Sequence, residues 1–236
     1  AGPDPGPCGR SGHTGTGIGG GIVGKVDIIN SLIIDNYAST GYANRGGGIY
    51  AYSGSAVTNC LVTRNSTSSY DSIDLGRGIY CNGVVAIFNC TVTNNKIINS
   101  ASPAIYCDGA SSIINSILWD NDGNDVTGGS VTYSCTQQNI AGTGNIHSDP
   151  LFVSGTLGDY YLSQTSAGQS ANSPCVDAGS GCAGRLLGTL ASTKNAKYCT
   201  LSNAIAPPLR LSQLTCMLSP SRKKDLSGIL KGPKLE

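Results

Sequence analysis

One phrase returns three times along this chain: Gly46-Gly47-Gly48-Ile49-Tyr50, Gly76-Arg77-Gly78-Ile79-Tyr80 and Ser102-Pro103-Ala104-Ile105-Tyr106. Each return is followed by two asparagines six positions apart: Asn59 and Asn65, Asn89 and Asn95, Asn115 and Asn121. Asn30 and Asn36 supply an earlier copy, and the steps between the second asparagines are 29, 30 and 26 residues. A unit this short cannot bury its own apolar face and must stack on its neighbours, which makes the chain a solenoid.

The local pattern decides which solenoid. Each copy carries short β-branched runs, such as Val57 to Val62, Val84 to Val92 and Ile113 to Leu118, separated by Gly, Asn, Ser and Asp. That is strand punctuated by turn, and none of the copies has the 3.6-residue apolar period of a helix. Stacking such units in parallel places equivalent side chains about 4.8 Å apart in ladders along the axis. The expected fold is all-β, a right-handed parallel β-helix of about four to five coils. At the usual strand spacing that stack is about 20 to 25 Å long, short for a catalytic β-helix.

The glycine-isoleucine phrase and the apolar-x-x-Asn phrase that follows it (Val62 to Asn65, Val92 to Asn95, Leu118 to Asn121) resemble the repeat of right-handed parallel β-helix proteins, including polymorphic outer-membrane proteins. The stretch from Gly144 to Val153 and the phrase Ser173-Pro174-Cys175-Val176-Asp177-Ala178-Gly179 are similar to the terminal section of bacterial secreted β-helix proteins of the pectate-lyase-like superfamily. The resemblance covers roughly residues 17 to 182. It implies a secreted or cell-surface protein and is specific for fold, because that fold hosts lyases, hydrolases, epimerases and adhesins alike.

Composition fits many tight turns between short strands: 33 glycines and only 12% charged residues. No run of about 18 apolar residues offers a transmembrane span, and no secretion signal stands at Ala1. The absence of an initiator Met is expected of a processed or truncated product, with coils possible upstream. The ten cysteines divide. Cys60 with Cys90, and Cys81 with Cys107, share repeat positions and are expected as inward stacks of small apolar thiols. Cys175 and Cys182 lie outside the repeats and are the better disulfide pair.

Charge exposes a boundary. Residues 1–182 carry 6 Lys and Arg against 12 Asp, a balance of −6, whereas residues 183–236 carry 9 against Asp225 and Glu236, a balance of +7. The sequence thus divides into a loop segment over 1–16, coils over 17–162, a terminal section over 163–182 and a basic tail over 183–236. A basic arm could meet anionic polysaccharide, nucleic acid or membrane. The reading adopted is a flexible or foreign tail ending in Leu235-Glu236, which resembles a vector scar, with no nucleic-acid partner.

Several chemistries find no support. Gly15 to Gly20 fits G-x-G-x-x-G, but no helix follows to hold a pyrophosphate. There is no G-x-S-x-G elbow, and His13 and His147 are the only histidines. No Cys or His pair has zinc spacing. The sole glutamate is Glu236, so a glycosidase would need two aspartates brought together by stacking. A lyase is less demanding: it needs a base and a group that neutralises a uronate carboxylate.

Three constellations remain. The residues before the second asparagines form a polar column, Asp35, Arg64, Asn94 and Asp120, in which Arg64, or nearby Lys96, is the candidate base or carboxylate clamp and Asp35 and Asp120 are the acids. Trp119 beside Asp120 is a candidate sugar-stacking side chain, with surface ion pairing and an apolar cover as the competing reading. Tyr50, Tyr80, Tyr106 and Tyr133 recur at steps of 30, 26 and 27 and are expected to line the outside of one sheet, either stacking on sugars or forming a structural aromatic column. Asp120, Asp122 and Asp125 lie in an Asx- and Gly-rich segment suited to calcium or to an ordinary turn. Two functions follow as expectations: a monomeric extracellular protein that binds or cleaves acidic polysaccharide, lyase-like if catalytic, or a non-catalytic surface or adhesion module.

Overall fold

The computed structural model of the chain describes residues 16–39, 43–68, 73–97, 102–155 and 158–180. The chain divides into two units, residues 1–205 and 206–236, and everything described belongs to the first. Cys182 and the basic tail lie outside the described residues.

The fold is a parallel β-helix of five coils. Three five-stranded parallel sheets run its length. The first, called the tyrosine sheet below, stacks Ile22–Gly24, Ile49–Tyr52, Ile79–Asn82, Ile105–Cys107 and Val126–Thr127. The second stacks Asp27–Ile29, Ala56–Thr58, Ala86–Phe88, Ser112–Ile114 and Ser130–Thr132. The third stacks Leu32–Ile34, Leu61–Thr63, Thr91–Thr93, Ile117–Trp119 and Cys135–Thr136. The registers align the repeats read from the sequence: Ile49 with Ile79, Val57 with Ile87, Val62 with Val92 and Leu118.

Strand alternation sends the middle residue of the second- and third-sheet strands inward, and two residues, such as Ile79 and Cys81, of the first-sheet strands. Ile49, Val57, Val62, Ile79, Ile87, Val92, Ile105, Ile113 and Leu118 are wholly buried in one continuous core. Each such side chain contributes about 1.5–3 kcal/mol by leaving water. Cys60, Cys81, Cys90 and Cys107 join that core as free thiols. The Cys60 and Cys90 thiols donate to the carbonyls of Thr58 and Phe88, each at 3.2 Å, as the hydroxyls of Ser31, Ser116 and Ser134 do to Ile29, Ile114 and Thr132. The column asks for a small donor, and thiol or hydroxyl serves.

Two columns of turn residues other than glycine adopt left-handed backbone. Asn30, Asn59, Asn89, Asn115 and Tyr133 occupy it between the second and third sheets, at φ of 49–54°. Asp35, Arg64, Asn94 and Asp120 occupy it after the third. Asn and Asp tolerate this conformation; a longer side chain costs roughly 1–2 kcal/mol there. Gly48 serves a different need, close approach: a Cβ on it would lie 2.7 Å from the Gly78 carbonyl oxygen of the next coil.

The second asparagines hold the coils in register. The Asn95 side-chain amide donates to the carbonyls of Val62 at 3.0 Å and Thr93 at 3.1 Å, and to Asn121 Oδ1 at 3.1 Å. Its own Oδ1 accepts from the Asn65 backbone and side chain, and Asn65 repeats the pattern toward Asn36. At the C-terminal end, Ile146 bridges Cys135, and Asn145 Oδ1 accepts from the Ser134 amide at 3.1 Å. An antiparallel hairpin, Phe152–Gly155 with Gly158–Leu162, then folds back along the third sheet.

Candidate functional site

The tyrosine column is real for three members. Tyr50 and Tyr80 stack at 4.8 Å between ring centroids and Tyr80 and Tyr106 at 5.5 Å, with interplanar angles of 22° and 4°. Tyr133 is not the fourth. The register pairs Tyr106 with Thr127, while Tyr133 falls in the left-handed turn column below Asn115. The sequence step of 27 was a coincidence of a shortened coil. Tyr50 and Tyr80 are also buried, each 3% exposed. Their faces meet one another, Tyr52 packs edge-on against Tyr50, and the Arg45 guanidinium lies 5.3 Å from the Tyr80 centroid. Their hydroxyls are engaged as well: Tyr80 donates to Asp108 at 2.8 Å, and Tyr50 accepts from Asn82 at 2.9 Å. Burial pushes the Tyr80 phenol well above its ordinary pKa, and the Asp108 hydrogen bond adds to the shift. Only Tyr106, half-buried, has its far face turned toward a small neighbour, Thr127.

The outer face of the third sheet is covered by the terminal section. Thr63 Oγ1 lies 3.1 Å from the Tyr160 hydroxyl, and Phe152 packs edge-on against Tyr160. Ile117, Cys135, Leu162 and Cys175 form a second apolar cluster, against which Trp119 and Phe152 pack. Trp119 thus serves as apolar cover at the coil-to-hairpin junction, the competing reading from sequence. Cys175 belongs with Cys135 in this cluster, and both are free thiols.

Arg64 and Asp35 form a fork-to-fork pair, Nε to Oδ1 and Nη2 to Oδ2, both 2.7 Å. Both side chains are well exposed, 49% and 61%. The Arg64 hydrogen bond holds the Asp35 carboxyl below the usual carboxylate range, and Asp35 in turn raises Arg64. Asp120 lies two coils beyond Arg64 in this column, exposed, its amide bonded to Gln137 Oε1. Lys96 faces Asp122 at 3.9 Å.

The three aspartates nominated for calcium do not converge. Asp125 is buried and accepts from Asn121 Nδ2 and the Gln138 amide, Asp122 faces Lys96, and Asp120 is exposed. Among the described residues no group of three or more His, Cys, Asp or Glu side chains is arranged to hold a metal ion. The donor set therefore does not fit a calcium site, and the segment serves as a turn whose one buried carboxylate is tied to the chain. Burial raises the Asp125 pKa.

Two groups escaped the sequence reading. Asp108, in the column of Tyr52 and Asn82, ties Tyr80 to the following turn by also accepting from the Gly83 amide at 2.6 Å. Alignment of the fourth coil against the third would have placed it there. Arg77 replaces a glycine of the repeated phrase and is fully buried, with no hydrogen-bond partner on Nε, Nη1 or Nη2. Asp122, Asp125 and Asp74 provide its electrostatic surroundings, and desolvation brings its pKa from 12.5 down to about 10.

Fold and face together define the class: an all-β parallel solenoid whose ladders are built largely from mutually satisfied side chains. No family model, curated protein or solved structure matches the chain.

Proposed function

We propose that the chain is a non-catalytic module of a secreted or cell-surface protein, a rigid β-helix of the pectate-lyase-like superfamily that displays its surface to an extracellular partner. The observation that carries this reading is the closed Arg64–Asp35 fork. A lyase base or carboxylate clamp must present its charge to substrate, yet the Nε–Nη2 edge of Arg64 is directed at Asp35, whose carboxylate neutralises it. The stacked tyrosine faces and the packing of half-buried Trp119 against the terminal section point the same way. The resemblance of residues 144–153 and 173–179 to secreted β-helix proteins supports the extracellular setting.

The test is a panel of uronate polysaccharides incubated with the protein, reading unsaturated product in the ultraviolet and reducing ends in parallel. No product above a heat-denatured control is expected. Turnover that disappears in Arg64→Ala would overturn the proposal and restore the lyase reading.

One observation favours a second reading, in which the module binds polysaccharide without cleaving it. The Tyr106 ring ends its stack beside Thr127, which leaves a face of the kind that sugars use. Loss of glycan-array binding in Tyr106→Ala, with the fold intact, would select that reading.

A further inference from the structure

Among the described residues six cysteines are buried free thiols, and the repeat accounts for four of them. Cys60 and Cys90 supply the small donor that Ser31, Ser116 and Ser134 supply in other coils. Cys81 and Cys107 stand in register with Ala51 and Gly24, in a column of small residues. Neither reason applies to the remaining pair. Cys135 continues the column of Leu32, Leu61, Thr91 and Ile117, and Cys175 lies in the terminal section, outside every column.

The fold brings these two thiols together from positions 40 residues apart. Both are wholly buried in the cluster of Ile117 and Leu162, with Trp119, Ile146, Phe152 and Val176 packed against it. Backbone hydrogen bonds fix each of them. The Cys135 amide donates to the Ser116 carbonyl at 2.8 Å. The Ser173 amide donates to the Ser163 carbonyl at 2.7 Å, and the Ser173 hydroxyl accepts from the Cys175 amide at 3.1 Å. The two thiols are in hydrogen-bond contact, which drives their pKa values apart, Cys135 up and Cys175 down. The Cys135 thiol also donates to the Ser148 carbonyl at 3.1 Å, a weak bond for oxidation to give up.

The terminal section lies beyond the repeat. It rests on packing and on side-chain bonds to the coils such as Thr63 with Tyr160 and Asn115 with Ser180. A bond between residues 135 and 175 closes a long loop that includes the whole hairpin, the kind of closure that restricts the unfolded chain most.

We propose that Cys135 and Cys175 form a disulfide that staples the terminal section to the last coil, in place of the Cys175–Cys182 pair expected from sequence. Making the bond removes one electron and one proton from each thiol. An incoming disulfide, oxidised glutathione for example, receives them and leaves as two thiols while the Cys135–Cys175 bond forms. Both sulfurs are buried, so the exchange runs through opening of the terminal section.

Equilibrating the full chain in a mixed oxidised and reduced glutathione buffer, then blocking the remaining thiols with iodoacetamide, tests this. Cleavage before aspartate isolates Cys135 in residues 125–148, Cys175 in residues 159–176 and Cys182 beyond Asp177. Mass spectrometry without reduction is expected to find the first two peptides joined in most molecules, with Cys60, Cys81, Cys90 and Cys107 alkylated. Reductant should lower the urea midpoint of the oxidised wild type and leave that of Cys135→Ser unchanged. The mapping uses the wild type alone and stands even where the variant fails to fold. Cys135 and Cys175 both alkylated would overturn the proposal, as would Cys175 joined to a peptide beyond Asp177. So would a joined fraction no greater than in chain oxidised in urea, where pairing is undirected.

Discussion

Replacing Asn95 by aspartate changes one nitrogen to oxygen and should remove most of the stability of the fold at neutral pH. The Asn95 amide nitrogen faces three acceptors, the Val62 and Thr93 carbonyls and Asn121 Oδ1, all within 3.1 Å in the buried core. A carboxylate there meets oxygen on every side, so its folded pKa must rise. If the group stays protonated in the folded state, protonating it at pH 7 from an ordinary value near 3.9 costs about 4 kcal/mol. A neutral acid then supplies one of the lost donors, and the rest cost about 1 kcal/mol more. The sum, about 5 kcal/mol, compares with a total stability of about 5–15 kcal/mol for a domain. The sign is fixed by the raised pKa. The penalty is full at neutral pH, shrinks as pH falls toward the unfolded-state value and leaves only the missing-bond part near pH 3. Urea denaturation of wild type, Asn95→Asp and Asn95→Ala at pH 3 to 7 reads this directly, with Asn95→Ala losing a pH-independent amount. Asn36→Asp, at the open end of the ladder and half-buried, should lose much less. An Asn95→Asp protein within about 1 kcal/mol of wild type at pH 7, or one whose deficit ignores pH, would refute the asparagine-ladder account.

Arg64→Asn should leave stability unchanged or raise it by about 1 kcal/mol in thermal denaturation, since asparagine suits the left-handed turn and an exposed ion pair contributes little. Tyr80→Phe should lose about 1 kcal/mol with the Asp108 hydrogen bond, and Tyr80→Ala about 3–5 kcal/mol by opening the stack. With its pKa raised, the Tyr80 phenol favours the fold fully below pH 10 and loses that contribution as pH rises through the folded value. Ultraviolet difference titration should accordingly find one phenol that ionises only on alkaline unfolding. Arg77→Met should stabilise the protein at pH 7 by up to about 3 kcal/mol, the equivalent of a guanidinium pKa falling from 12.5 to about 10. That gain should shrink as pH rises through 10, where the wild-type penalty is relieved. A destabilised Arg77→Met in the same denaturation series would show that Asp74, Asp122 and Asp125 compensate the buried charge.

The repeat made the coils legible because parallel stacking converts sequence period into spatial register. Ile49 and Ile79, or Val62 and Val92, could be paired before any coordinates, since a residue that points inward in one coil must do so in the next. Outward columns were harder. Ile34, Thr63, Thr93 and Trp119 do share a column, but what covers it is a hairpin some thirty residues beyond Trp119, and no period announces that contact. Tyr133 was misplaced in the tyrosine column because the fourth coil, from Ile105 to the next strand at Val126, is shorter than those before it, so counting from Tyr106 overshot the sheet and landed in a turn. The polar column was aligned correctly, yet its chemistry was not readable from residue types. Whether Arg64 offers its guanidinium to solvent or to Asp35 is a matter of rotamer, which periodicity does not carry. Arg77 shows the same limit. Its place in a glycine phrase was plain, and its complete burial without a partner was not.

The central claim is that the second-asparagine ladder binds the coils into one cooperative stack. Native-state hydrogen exchange at the Asn65 and Asn95 backbone amides, which donate to the Asn95 and Asn121 side chains, measures it most directly. If the claim is right, both amides exchange only through global unfolding, with a free energy equal to that from urea denaturation, and among the slowest in the chain. Exchange of either through a local opening several kcal/mol below the global value would contradict it.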